Sequence, residues 1–360
     1  MRIAFFTTGM TRGGAERVIA TLSNHFAKNG HEVSIVILKG EGSGYPLDAH
    51  VELRSARLSS GAKNAPAAMG FYRRAVLDID PDVVVAFTQK SNLMACAAKR
   101  FLGLKTPLVI SERANPFRRG RKQQLASNAL FTSADEIVCQ SIVVSRYYED
   151  HAVGVPVEVI PNPLDKSCIA DRPSSEREPF LLSVGRLCEQ KRHDLSIRAL
   201  ARLNEDFPDL RLKVCGEGPD LEKLRQLARA LGVVKRVEFC GNVPNVMRSN
   251  ASAAAYLMTS DFEGFPNALI EAVASGIPTV STDFSPGLAH ELVSEAENGF
   301  VVPAGDDRAI AAAVRHLLEH PISASELGKS AKLARGRFDL DRVADKWLAA
   351  FGRVAEEKRK

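Results

Sequence analysis

The feature that most constrains this chain is a repeated alternation of short apolar runs with stretches whose apolar residues recur at helical spacing. Residues 2–8 read as a buried strand. Residues 13–29 then place Ala15, Val18, Ile19, Leu22 and Phe26 on one helical face, and Gly30 caps the helix. Strand-like runs return at 31–38, 83–87, 108–111, 136–140 and 157–160. Such a chain folds as α/β, with a parallel sheet covered by helices on both faces. Residues 171–179 are polar, Pro-containing and without period, and read as a linker. A second series of strands follows at 180–184, 210–215, 237–240, 253–258, 279–282 and 299–302. The expectation is two Rossmann-like domains, 1–165 and 166–340, with a cleft between them, and a helical segment at 341–360. Ligands of such sheets bind at the carboxyl ends of the strands.

Composition removes other classes. The 360 residues are 45% hydrophobic and 25% charged, which excludes a disordered chain or a small disulfide scaffold. No apolar run reaches the roughly 18 residues of a membrane span, and no signal peptide is expected. None of the six cysteines stands in a Cys-x-x-Cys pair, and the eight histidines form no metal-binding spacing. No metal site is expected, and free thiols suit a reducing cytoplasm. The net charge of +5 leaves anionic partners open.

Three segments could carry chemistry. The Gly13-Gly14 pair stands between a strand and a helix, where the backbone can approach an anion; an ordinary tight turn would look the same. In Ser183-Val184-Gly185-Arg186-Leu187, followed by Gln190-Lys191, a strand ends in glycine. The forked donor Arg186 and the point charge Lys191 both suit phosphate oxygens, although a solvated basic loop is the plainer reading. The third segment holds Glu263 and Glu271, eight residues apart, around a loop with Gly264, Pro266 and Asn267 that leads into a helix. A helix start can bind a pyrophosphate, and a carboxylate on its first turns can accept both ribose hydroxyls. Two acids could instead merely complement the helix dipole. However, residues 249–307 hold nine acids and no Lys or Arg, and Glu271 sits among Ala268, Leu269, Ile270, Ala272 and Val273. A carboxylate in that setting calls for a partner.

A basic segment spans residues 99–122, with eight Lys or Arg against the single acid Glu112. It is densest at Arg118-Arg119-Gly120-Arg121-Lys122. It could contact anionic lipid headgroups or an acceptor diphosphate, or be a solvated loop. Nucleic acid is disfavoured, because interleaved aromatics are absent.

Taken in order, Gly13-Gly14-Ala15-Glu16-Arg17, the Ser183–Lys191 segment, Gly216-Glu217-Gly218-Pro219, the Glu263/Glu271 pair and Ser275-Gly276-Ile277-Pro278 resemble the family 4 glycosyltransferases over the whole chain. These are retaining enzymes of the GT-B fold. Ile110-Ser111-Glu112-Arg113 and Pro161-Asn162-Pro163 resemble a bacterial subgroup that builds cell-surface and lipid-linked glycans, including N-acetylhexosamine transferases.

The resemblance implies an acceptor-binding first domain, a nucleotide-sugar-binding second domain and a last helix packed back on the first. It implies transfer of a hexose or N-acetylhexosamine from a UDP-sugar donor to a glycan, lipid-linked or polysaccharide acceptor, with no cofactor and no metal. Arg186 and Lys191 would then hold the diphosphate, assisted by backbone N–H groups of Asn267, Ala268 and Leu269, with Gly264 and Phe265 in the same donor loop. Glu271 would bind the ribose, Glu263 would lie by the transferred sugar, Val243 by the base, and Gly13 and Gly14 on the diphosphate side. Where many members carry a histidine, this chain has Glu112-Arg113. Glu112 could serve as a base or hydroxyl anchor. Arg113, with Arg118, Arg119, Arg121 and Lys122, would face the acceptor and an anionic membrane. The implied location is cytoplasmic, peripheral at the inner face of the membrane. Asp78-Ile79-Asp80 has the form of an Asp-x-Asp metal motif but reads better as a helix-to-strand turn. A nucleotide-sugar 2-epimerase of the same fold, a GDP-sugar-dependent transferase and a non-catalytic binding module are the other readings.

Overall fold

The computed structural model describes residues 1–11, 13–59, 64–113, 115–152, 154–284, 287–295 and 297–357. They form two compact units, Met1–Pro163 with Asp339–Lys360, and Leu164–Phe338.

The strands of the first unit are β1 (Arg2–Thr7), β2 (Glu32–Ile37), β3 (Val51–Ser55), β4 (Val83–Phe87), β5 (Leu108–Glu112), β6 (Glu136–Cys139) and β7 (Val157–Val159). All run parallel, in the spatial order β3-β2-β1-β4-β5-β6-β7. Between them lie α1 (Gly14–Lys28), α2 (Ala65–Ile79), α3 (Gln89–Leu102), α4 (Arg121–Phe131) and α5 (Ile142–His151). The second unit has β8 (Glu178–Val184), β9 (Arg211–Cys215), β10 (Val237–Gly241), β11 (Ala253–Met258), β12 (Thr279–Thr282) and β13 (Gly299–Val302), ordered β10-β9-β8-β11-β12-β13 and again all parallel. Its helices are α6 (His193–Arg202), α7 (Leu221–Ala230), α8 (Val246–Ser249), α9 (Asn267–Ala274), α10 (Asp307–Glu319) and α11 (Ala324–Arg337). In both sheets the order reverses once, between β1 and β4 and between β8 and β11, and that is where such sheets bind ligands.

The last helix, α12 (Leu340–Glu357), belongs to the first unit. Its Trp347 stacks on Phe87 with ring centroids 5.8 Å apart, and its Phe351 meets Phe26 edge-on at 5.9 Å. Together with Phe5, Val85 and Val109 these rings fill one side of the sheet. Phe6, Ala86 and Ile110 fill the other, against α2, α3 and α5. The near-continuous Val/Ile/Phe runs of β1 and β4 follow from that double coverage.

Three details differ from the sequence expectation. First, residues 171–179 are not a free linker: the last two already belong to β8, and the stretch before them, 164–170, is packed down. Leu164 and Ile169 are buried with Ile270, Val273 and Phe338. Arg335 donates to the carbonyls of Ala274 and Ala170, and Arg177 to those of Ala251 and Gly276. Arg177 thus ties the segment to carbonyls elsewhere in the unit, and Arg335 ties the carbonyls of Ala170 and Asp171 to α11. Second, β5 runs one residue further than expected, to Glu112. Third, β3 and the helices α2 to α5, α8, α10 and α11 add to the elements placed from the sequence. The Asp78–Asp82 run is a turn: Asp80 ends α2 in the left-handed conformation, and Asp82 accepts the Arg2 backbone N–H at 2.7 Å.

Candidate active site

In the second unit the carboxyl ends of β8 and β11 lie side by side and carry the loops 185–192 and 259–266. Gly185 follows β8 directly, and its N–H donates to the Cys215 carbonyl at 3.0 Å. A Cβ on Gly216 would lie 1.9 Å from the Gly185 carbonyl oxygen, so only glycine allows this approach. The Gly-Arg-Leu and Gly-Glu-Gly motifs are thus two sides of one packed loop pair, closed by Leu187 N–H to the Glu217 carbonyl at 2.9 Å. A pocket of about 230 Å³ opens there, lined by Gly185, Arg186, Gly216, Glu217, Asn242 and Val243. A larger pocket of about 610 Å³ lies between α6 and α7, against Arg192, Asp194, Lys223 and Leu227. It includes none of the residues expected to hold the donor.

The two loops are joined by charge. Lys191 Nζ lies 2.6 Å from Glu263 Oε1, and Ser260 Oγ donates to the same oxygen at 2.6 Å. Gln190 Nε2 donates to the Phe262 carbonyl at 2.9 Å, and Thr259 Oγ1 to those of Lys191 and Arg192. Glu263 is buried, so its charge is held by named donors rather than by water. Arg186 is exposed and makes no ion pair among the described residues. Glu271 is buried on α9, one turn past the start of that helix. Tyr256, buried on β11, lies near both glutamates: burial first, then the Glu263 and Glu271 charges, push its phenol well above its usual range. Gly264 and Phe265 complete the loop, and Phe265 packs edge-on against Phe338. At the start of α9 the Asn267 N–H donates to the Phe265 carbonyl and the Leu269 N–H to that of Pro266, both at 3.0 Å. Two of the three amides expected to face a diphosphate are therefore already engaged within the turn. His193 stands below the loop, its Nδ1 2.9 Å from Ser183 Oγ and its ring facing the carbonyls of Arg186 and Gly185. Burial lowers its pKa to about 4.

In the first unit Gly13 caps α1. A Cβ there would come within 2.3 Å of Glu16 Oε2, and Tyr45 donates to the Gly13 carbonyl at 3.0 Å. Glu112 and Arg113 part company because strand side chains alternate between faces. Glu112 turns to the α5 side. Tyr148 donates to its Oε2 at 2.8 Å, and Arg119 Nη2 lies 2.6 Å from the same oxygen, close but poorly aligned for a hydrogen bond. Burial opposes the Arg119 charge, but Glu112 and Tyr148 outweigh it and raise the pKa. The Glu112 and Arg119 side chains are 0% and 5% exposed. This corrects two expectations. Arg119 is not a surface cation, and Glu112 is a buried ion-pair member rather than an open base. Arg118, Arg121 and Lys122 are exposed, as a surface role requires. Arg113 turns to the opposite face, over the Phe87 ring at 4.4 Å.

Ser260, Tyr256, Thr259 and His193 escaped the sequence reading; the first three directly surround the end of β11, which is the signal that could have found them. No group of three or more metal-ligating side chains occurs among the described residues.

Two family descriptions match the chain in succession: "Glycosyltransferase Family 4" over residues 12–167 and "Glycosyl transferases group 1" over residues 167–334. The chain belongs to the family 4 glycosyltransferases. It is 27% identical, over 98% of its length and 99% of the relative's, to a Campylobacter jejuni N-acetylgalactosaminyltransferase whose named acceptor is a diphosphoundecaprenol-linked glycan. It is 25% identical, over 97% and 98%, to the lipopolysaccharide core biosynthesis glycosyltransferase LpsE of Rhizobium meliloti. Its fold matches that of Anabaena HepE in complex with UDP, with a TM-score of 0.80 at 19% identity, covering 98% of this chain and 100% of that one.

Proposed function

We propose that this glycosyltransferase moves a hexose or N-acetylhexosamine, with retention, from a UDP-sugar to a lipid-linked glycan at an anionic membrane surface. The observation that carries the donor side is the Lys191–Glu263–Ser260 cluster at the strand reversal, with the unpaired cation of Arg186 beside it. Breaking the bond from sugar to diphosphate puts negative charge on the leaving group, and cations fixed in advance stabilise it. Lys191 and Arg186 take that role. Glu263 orients the sugar hydroxyls and fixes the lysine, Glu271 binds the ribose, and the pocket at Val243 receives the base. The Campylobacter relative's acceptor and the UDP held by HepE support the two substrate classes.

The membrane reading rests on α4 and the turn before it. Phe117 and Leu125 are 50% and 65% exposed beside Arg118, Arg121 and Lys122, the mixed surface that an interfacial segment presents to lipid. No helix among the described residues is long and apolar enough to cross a membrane. The test is release of UDP from UDP-N-acetylhexosamines with a polyprenyl-diphosphate-linked acceptor. Wild type should release UDP only when acceptor is present, and Glu271→Ala should abolish release. Product formed without acceptor would indicate an epimerase, and normal transfer by Glu271→Ala would refute the site.

A further inference from the structure

The first sheet carries a cluster of unsatisfied polar groups at its carboxyl end. Phe6 pairs with Ala86, and Phe87 with Ser111, so Thr7, Phe87 and Ser111 come level across β1, β4 and β5. Alternation puts their side chains on the face shared with Phe5, Val85 and Val109. Thr7 Oγ1 and Ser111 Oγ are buried there without a hydrogen-bond partner. On α3, Asn92 Oδ1 is likewise buried without a partner, and its Nδ2 donates to the Ser111 carbonyl at 2.9 Å. Thr88, which leads into α3 at this edge, has φ 77, a strained conformation for a β-branched residue.

Arg113 completes the group. Its Nη1 donates to Asn162 Oδ1, and its guanidinium lies 4.4 Å over the Phe87 ring, so it is held in place. Its Nε and Nη2 are buried with no partner. Those two N–H groups form one side of the guanidinium fork, the side that grips an oxyanion through two parallel hydrogen bonds. The neighbouring carboxylate of Glu112 sits on the other face and is held by Arg119 and Tyr148. Burial lowers the Arg113 pKa to about 9, as expected of a cation short of its anion. Buried polar groups are almost always satisfied, so a cluster of exceptions asks for a missing partner. Two fork N–H groups and the Ser111 hydroxyl are donors in search of an oxyanion, and a phosphate, the anion an acceptor of this class carries, offers oxygens enough for all of them.

We propose that Arg113 and Ser111, two residues apart at the end of β5, form an oxyanion subsite that holds a phosphate of the diphosphate-linked acceptor. The proposal rests on the transfer reading above. The test uses the full chain, one UDP-sugar and two acceptors bearing the same sugar: a polyprenyl-diphosphate-linked N-acetylgalactosamine and its octyl glycoside, which lacks phosphate. Wild type should prefer the diphosphate-linked acceptor. Arg113→Gln should shrink that preference roughly tenfold to hundredfold, the range for a hydrogen-bonded charge, through KM for the diphosphate-linked acceptor. Arg113→Lys, which keeps the charge without the fork, should fall between; it also serves if Arg113→Gln does not fold. An unchanged preference would overturn the proposal. So would a rise in KM for the UDP-sugar with preference intact, because the anion would then belong to the donor. Failure of wild type to release UDP with either acceptor would refute the transfer reading instead.

Discussion

The two units share one strand order over six strands, the first adding a seventh at its edge, yet they treat the charges at their strand ends in opposite ways. In the second, Lys191, Glu263 and Ser260 satisfy one another before any ligand arrives. In the first, Glu112 is used up by Arg119 and Tyr148 on one face, while Arg113 on the other keeps half of its fork open. A preformed cluster costs no reorganisation when charge develops during reaction. An open cation gains most from binding an anion that already exists. The contrast fits a donor site that performs chemistry and an acceptor site that recognises a fixed charge. Adjacent residues where β5 ends thus face opposite sides of the sheet and meet opposite surroundings.

The comparison is most easily broken at Glu112. Glu112→Gln should destabilise the protein by about 3–5 kcal/mol in urea unfolding, because it strands the buried Arg119 charge. Combining it with Arg119→Met should recover part of that loss. A stable Glu112→Gln protein with abolished turnover would instead make Glu112 a catalytic base and erase the contrast.

Much of this contrast was visible in the sequence, and part of it was not. The βα alternation, the place where the second series begins and the Glu263/Glu271 spacing all follow from periodicity and composition. The ion pair of Glu112 does not, because the apolar run of β5 ends at Ser111 and carries no sign of which face the next two residues take. Arg119 stands in a basic run whose composition does not show that the buried Glu112 carboxylate and Tyr148 hydroxyl draw it inward. The linker misled because composition does not show that Arg335 and Arg177 bind backbone carbonyls there or beside it. Ile310, Val314 and Leu317 stand at helical spacing, so α10 was legible. The orphaned hydroxyl of Ser111 beside Arg113 is not, since nothing in the sequence says which strand residues lack a partner.

A smaller effect is expected at His193, in the second unit. Its folded pKa of about 4 lies below the usual 6.5, so the unfolded chain takes up a proton first as pH falls. Its share of stability is full above pH 6.5 and is lost between 6.5 and 4, on the order of 3 kcal/mol. His193→Asn should flatten that part of the profile in thermal unfolding measured from pH 7.5 to 4. An unchanged slope would mean the imidazole is not the group that titrates. The smallest effect belongs to the surface of the first unit. Arg121→Gln and Lys122→Gln should each weaken binding to anionic vesicles by about 1 kcal/mol in co-sedimentation, with neutral vesicles unaffected. Equal binding by wild type and the double variant would remove α4 from the membrane reading.

The central claim is that the paired charges at the end of β8 and β11 carry the donor chemistry. Its most direct measurement is the kcat for UDP release at saturating donor and acceptor, for wild type and Lys191→Met, with thermal midpoints recorded for both. The account predicts a fall of roughly 10²–10³-fold in a folded protein, the scale of losing one fixed group that stabilises developing charge. A kcat within twofold of wild type would contradict it.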